Sequence, residues 1–390
     1  MKIGISGPID TSSLIEFLDL KNSSYPKGLN TVSVTNLIIG FIKAGHHVSV
    51  YTLDPDIQND EILEGQYLKI YFGKYRQRAR DRALTFFGEE SSYIKKFISE
   101  DKPDIVNAHW TYEFALGALR SGVQTIITVR DWAPAILKIM PDPYRFLRLI
   151  LNYYVVIKGN NFIPISPYIK TKIDRVKNAN YKIIPNGFND NIFSNESKNL
   201  NLDEPKIISI NDGFGRIKNV ECLLIAFNKL LKRIPSANLY LIGDEFDSNG
   251  IAQQWAKEKG LIDKVFFLGS LSNKETLLKL QEMDLLIHPS IEESFGNTLV
   301  EAMAKKVPVI AGKTSGAVPY VLDYGRAGIL TDVASPDSIE EEAFSILTDK
   351  GKWDDYSIKG YNHAFNNFRM SIVVQRHLDI FSELLKTKYR

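Results

Sequence analysis

Cysteine is nearly missing from this chain: there is one, Cys222, in 390 residues. No internal disulfide can form, which excludes a small disulfide-stapled fold. Cys222 falls at an apolar position of an expected helix and reads as a packing residue. Long apolar runs are missing too. The nearest, residues 147–157, is broken by Arg148 and Asn152, and it falls well short of the ~20 residues a membrane-spanning helix requires. The opening Met1-Lys2-Ile3-Gly4-Ile5-Ser6-Gly7 reads as a buried strand entering a glycine turn rather than a signal peptide, so a cytoplasmic location is expected. Net charge is only +2, and a nucleic-acid partner is not expected. Internal repeats and low-complexity tracts are also absent.

What is present suits a soluble globular chain: 44% hydrophobic residues with 24% charged. The length exceeds one ordinary core and fits two domains of ~100 to 200 residues each. Charge is unevenly spread, with 20 Lys/Arg against 10 Asp/Glu between residues 65 and 182. Most such excess is ordinary solvated surface, but the count and the Lys74-Arg76-Arg78-Arg80-Arg82 alternation lead us to expect it partly on one face of the first domain. A basic face also suits peripheral contact with an anionic membrane or a phosphate-bearing acceptor.

Short β-branched runs alternate with helical stretches, the pattern of parallel βαβ units. Strands are expected at 2–6, 47–52, 68–72, 104–109, 124–129, 161–166 and 182–185. A helix over 33–43 carries Val34, Leu37, Ile38 and Phe41 on one stripe, and Gly45 closes it. The Asn- and Ser-rich segment 186–204 has turn chemistry and reads as a linker. The pattern then restarts, with strands at 206–210, 238–242, 264–268, 284–288 and 307–310. A helical, amphipathic tail over 356–386 follows and is expected to return to the first domain.

The strongest chemical signal is Glu292-Glu293-Ser294-Phe295-Gly296-Asn297-Thr298-Leu299-Val300-Glu301, after a strand ending in His288-Pro289-Ser290. Glu293 and Glu301 flank a small turn that opens a helix. Its unpaired amides and positive dipole end would form a site for a diphosphate. Glu301 would reach a ribose diol and Glu293 a sugar ring, since a carboxylate accepts from two hydroxyls at once. The competing reading is a capped surface helix bearing two solvated acids. The strand-turn-helix context favours the site.

This segment resembles the E-x7-E motif of the family-4 glycosyltransferases (glycosyl transferases group 1). The resemblance spans nearly the whole chain. Pro185-Asn186-Gly187 with Phe193, Leu241-Ile242-Gly243-Asp244, Phe267-Leu268-Gly269 and Val307-Pro308-Val309-Ile310-Ala311 are similar to family motifs in the family's order. It implies the GT-B architecture: α/β, two facing Rossmann-like doubly wound domains with an interdomain cleft. An acceptor-binding domain would occupy 1–187, a linker 188–204, a nucleotide-sugar-binding domain 205–355, and C-terminal helices 356–390. The implied activity is retaining transfer of a sugar from a nucleotide diphosphate sugar to a glycan or glycolipid acceptor, as in bacterial surface polysaccharide synthesis. On this resemblance Glu293 contacts the transferred sugar, the amides of Phe295, Gly296, Asn297 and Thr298 hold sugar and diphosphate, and Glu301 binds the ribose.

The chain departs from the family where an Arg and a Lys usually clamp the diphosphate. Lys218 aligns with the family Lys, but Gly213 stands at the Arg position, leaving Arg216 as a substitute from a shifted place. Gly28, in Pro26-Lys27-Gly28-Leu29-Asn30, resembles the family's glycine loop, with a simple turn as the alternative. His109 ends a buried strand where crevices open in doubly wound sheets, and the family often has a His there touching the donor sugar. Arg130 and Asp131 end the next strand and are acceptor-side candidates. The His46-His47 pair, at the amino end of a strand, reads as structural. No metal-ligand cluster is evident, and a clamp of Lys, Arg and helix dipole makes a metal or other cofactor unnecessary. Front-face attack is implied, the leaving phosphate taking the acceptor proton. Two alternatives remain: a nucleotide-sugar epimerase, and a non-catalytic nucleotide-sugar binding subunit.

Overall fold

The computed structural model describes residues 1–20, 24–193 and 197–388. The chain divides into two compact units, one of residues 1–188 with 370–390 and one of residues 189–369. Residues 194–196 of the expected linker and 389–390 of the expected tail lie outside the described residues.

The first unit holds β1 (Lys2–Ser6), β2 (His47–Asp54), β3 (Glu61–Glu64), β4 (Leu68–Lys74), β5 (Ile105–His109), β6 (Thr125–Val129), β7 (Asn161–Pro164) and β8 (Asn180–Tyr181). Their order is β3-β4-β2-β1-β5-β6-β7-β8. Every pairing is parallel except β3 with β4. Strands such as Ile105–His109 and Thr125–Val129 are buried along their whole length, as parallel strands covered on both faces must be. The 182–185 strand is not formed, and the ladder ends at Tyr181. The Lys182 and Ile184 amides still donate to Phe162 and Pro164 carbonyls, but Pro164 has no N–H to return. β3, charged and exposed at the sheet edge, gave no strand pattern.

The second unit holds β9 (Lys206–Ile210), β10 (Asn238–Ile242), β11 (Val265–Phe267), β12 (Leu285–His288), β13 (Val309–Gly312) and β14 (Ile329–Thr331). All pairings are parallel, in the order β11-β10-β9-β12-β13-β14. Succession reverses between β9 and β12, which is where a doubly wound sheet opens a ligand crevice. Described residues from the expected linker belong to this unit. Leu200 joins its core, and the Asn201 amide donates to Asp284.

The tail forms two helices, Lys350–Asn367 and Met370–Lys388. No Pro or Gly marks the break. It follows from packing: Phe368 is buried between the rings of Phe295 and His363, 5.6 and 5.2 Å away. The boundary between the units therefore lies at 369/370, not at the expected 355/356. The last helix packs on the helix Val32–Lys43 of the first unit, with Phe41 against His377 and Phe381. A Cβ on Gly40 would sit 2.4 Å from Val374, so glycine sets how closely these helices approach.

Candidate functional site

In the second unit the carboxyl ends of β9, β10 and β12 surround a cavity of about 350 Å³. It is lined by Asn211, Asp212 and Lys218 after β9, by Gly243 and Asp244 after β10, and by His288, Glu293, Gly296, Asn297 and Thr298 around β12 and the helix that follows. Gly243 is required as glycine. Its φ is +132°, and a Cβ there would lie 1.7 Å from the Asn211 carbonyl oxygen.

Lys218 is placed by its neighbours. Asn219, in the left-handed region, donates its side-chain amide to the carbonyls of Pro289 (3.2 Å) and Val333 (2.7 Å). The Ile291 amide donates to the Ile217 carbonyl. The loop after β9 is thus fastened on both sides of Lys218 to the loops after β12 and β14. Glu293 is fixed from the other direction, its carbonyl accepting from the Ala317 amide at 2.8 Å. The result is an ion pair, Lys218 Nζ to Glu293 Oε1, at 2.9 Å. The same oxygen lies 3.1 Å from His288 Nε2. Burial favours the neutral acid, but the hydrogen bond and charge of His288 and the Lys218 ammonium outweigh it and hold the Glu293 carboxyl down at about 2.

The helix Asn297–Ala304 starts at Gly296, whose φ of +94° suits glycine, and no side-chain oxygen caps it. Its first residues line the cavity, so its positive end faces the same space as Lys218. Among the described lining residues Lys218 is the only Lys or Arg, against the carboxylates of Asp212, Asp244 and Glu293.

The structure thus brings Lys218, Glu293, Gly296, Asn297 and Thr298 together. Phe295 is outside the cavity lining, and its ring is buried against Phe368. Arg216 is exposed and does not line the cavity. Gly213, also outside the lining, adopts φ +91°, next to a Phe214 amide that donates to Glu245. Glu301 lies a turn into the helix, accepts from Asn273 at 3.2 Å, and has its pKa raised by burial. Sequence reasoning missed His288, although it stood at a strand end two residues before Ser290, and it missed the role of Asn219.

The first unit carries a separate polar cluster at the ends of β5 and β6. Arg130 Nε donates to His109 Nδ1 at 3.2 Å, and Arg130 Nη1 donates to the Asn186 side chain at 2.6 Å. A guanidinium can only donate, so the His109 proton sits on Nε2, which meets no partner among the described residues. Burial, then the charges of Arg130 and His377, keep this imidazole neutral. Asp131 accepts from Tyr112 Oη at 3.1 Å, and burial raises its pKa to about 6. The Gly28 amide does not face outward. It donates to Asp54 at 2.7 Å, and glycine is needed there because φ is +77° and a Cβ would lie 2.6 Å from the Ile9 carbonyl oxygen.

Comparison with known proteins matches residues 190–363 to the glycosyl transferases group 1 model and residues 31–191 to the glycosyltransferase family 4 model. The chain is 24% identical over 361 residues to the N-acetyl-alpha-D-glucosaminyl L-malate synthase of Bacillus anthracis, covering 89% of this chain and 90% of that one. It is 26% identical over 363 residues to a probable sucrose-phosphate synthase of Thermosipho melanesiensis, covering 84% and 81%. Among solved structures, the sucrose-phosphate synthase of Thermosynechococcus elongatus superposes with a TM-score of 0.78 at 19% identity, over 99% of this chain and 100% of that one. Anabaena HepE in complex with UDP-glucose does so with a TM-score of 0.66 at 17% identity, over 98% and 100%. The fold is that of these GT-B enzymes.

Proposed function

The chain belongs to the family-4, group 1 glycosyltransferases, and from that premise we propose that it moves a sugar, with retention, from a nucleoside diphosphate sugar to a hydroxyl of a glycan or glycolipid. The observation that carries this reading is the Lys218–Glu293–His288 cluster at the mouth of the 297–304 helix. It sets a cation and a helix dipole beside a carboxylate held ionised. The Lys218 ammonium and the helix amides neutralise the diphosphate as it leaves, with no metal ion required. Glu293 accepts from the sugar's hydroxyls and orients the ring. The bond from the anomeric carbon to the phosphate oxygen breaks, the acceptor oxygen attacks from the same face, and the acceptor's proton passes to the leaving phosphate. In the first unit His109 is buried, and its Nε2–H, without a partner among the described residues, is our candidate donor to a substrate hydroxyl once the substrate reaches it.

Incubation with UDP-, GDP-, ADP- and dTDP-sugars, and analysis of products by mass, tests the reading. Sugar joined to an acceptor, with retained anomeric configuration, supports it. Isomerised donor or tight binding without turnover overturns it. UDP-sugars are the first to try, since the related HepE structures hold UDP and UDP-glucose.

Glu301 holds the ribose in this reading, in ground and transition states alike. Glu301→Gln should then raise the donor KM about 10- to 100-fold with kcat little changed, the effect of losing a hydrogen bond to a charged group. Initial rates over donor concentration decide it; an unchanged KM removes the ribose role.

A further inference from the structure

The helix Pro143–Lys158 of the first unit is apolar on two opposite faces. Leu151, Val155 and Val156 turn inward and are buried. Phe146, Ile150, Tyr154 and Ile157, spaced by four, four and three residues, form a second stripe that is 40 to 57% exposed. The stripe does not stand alone. Ile139 and Met140, at the end of the preceding helix Ala133–Ile139, are exposed immediately before the turn into it. The short helix Ala79–Leu84 packs beside it and ends on Leu84, 74% exposed. Contiguous apolar surface of this kind marks an interaction site.

The rim of the stripe is cationic. Arg78, Arg80, Lys138 and Lys158 are exposed, and none makes an ion pair among the described residues. Of the acids on these elements, Asp142 caps the helix by accepting from the Arg145 amide and pairs with the Arg145 guanidinium, and Asp81 sits in the first turn of Ala79–Leu84. An apolar stripe flanked by unneutralised cations is complementary to a bilayer interface with anionic headgroups, where the side chains enter the acyl boundary and the cations meet phosphate. A second copy of this chain is a poorer occupant, because a two-fold contact through this face would set its own cations against each other. Among the described residues no helix is long and apolar enough to cross a membrane.

We propose that this stripe is a docking face for an anionic phospholipid surface, with the 143–158 helix lying in the interface plane. The inference stands apart from the transfer chemistry, and vesicle binding tests it without any substrate. Purified full-length chain is sedimented with vesicles of pure phosphatidylcholine and with vesicles of equal parts phosphatidylcholine and phosphatidylglycerol. Wild type is expected on the mixed vesicles only, with binding that weakens as salt is raised. Arg78→Glu with Lys138→Glu should weaken partitioning by about 30-fold or more, given the contribution of each cation near such a surface. Phe146→Ser with Ile150→Ser should weaken it by at least about 10-fold through lost apolar insertion. All four positions are exposed, so unchanged melting is expected and is checked alongside. Equal binding to both vesicle types, binding to neither, or full binding by the Phe146→Ser/Ile150→Ser variant overturns the proposal. So does a wild-type dimer in sedimentation velocity that this variant dissociates, since the face would then be a self-interface.

Discussion

Lys218→Ala should lower kcat by about 100- to 1000-fold, the scale on which one preorganised electrostatic group contributes where charge develops. Lys218 is the only Lys or Arg among the described residues lining the cavity, and three carboxylates share that lining. No second cation there is placed to take over as the nucleotide departs. Its position is fixed by Asn219 and by the Ile291 amide rather than by its own side chain. Truncation therefore leaves the loop in place, but it removes one of the two partners that hold Glu293 ionised, so melting should fall modestly and is measured alongside. Single-turnover rates against a matched wild type measure the effect. Near wild-type turnover would move the clamp elsewhere, with Arg216, one turn away and exposed, as the next cation to change.

Glu293→Gln should have two effects of opposite sign. Turnover should fall about 10- to 100-fold, because an ionised acceptor for the sugar hydroxyls is lost. Binding of the free nucleoside diphosphate should instead tighten by about 2- to 5-fold, because Lys218 no longer shares its charge with a carboxylate 2.9 Å away in a partly exposed pair. A residue serving only to hold the fold would not separate these two readouts. Stability changes as well. With a folded-state pKa of about 2 against an ordinary 4.5, the ionised Glu293 contributes stability that is fully present above pH 4.5 and is lost as pH falls toward 2. That contribution is on the order of 3 kcal/mol. Acid melts of wild type should show the loss over this window, and those of Glu293→Gln should lack it. Parallel pH curves for the two proteins would contradict the assignment of the low pKa to this carboxyl.

The sheets were legible because their strands are short buried runs between helical stretches. Lys206–Ile210 and Asn238–Ile242 lie where the pattern placed them. What the pattern missed depends on neighbours distant in sequence. Glu61–Glu64 is a strand only because Leu68–Lys74 lies beside it. The tail breaks at Phe368, with no helix breaker present, because Phe295 and His363 offer that ring a buried site. The same holds at the cavity. Glu293 and the 296–298 turn were readable from one contiguous motif, and Lys218 from its resemblance to the family. His288 reads locally as a strand-end residue, and only the return of the loop to within 3.1 Å makes it a partner of Glu293. Arg216 looked like a stand-in for the arginine missing at Gly213, but it is exposed and outside the cavity lining. Gly28 resembled the family's glycine loop, with a simple turn as the alternative. Its conformation and its Asp54 hydrogen bond make it a glycine of the fold.

The central claim is that the cavity in the second unit receives the diphosphate of a nucleotide sugar and that Lys218 grips it. Thermal unfolding of wild type and Lys218→Ala with UDP, GDP, ADP and dTDP, and with the matching nucleosides, tests this most directly. At about 100 times its dissociation constant one nucleoside diphosphate should stabilise wild type by about 2.7 kcal/mol. The same concentration should stabilise Lys218→Ala markedly less, while the nucleoside, lacking phosphates, should act equally on both. Equal stabilisation of the two proteins by the diphosphate, or none of wild type by any of the four, would contradict it.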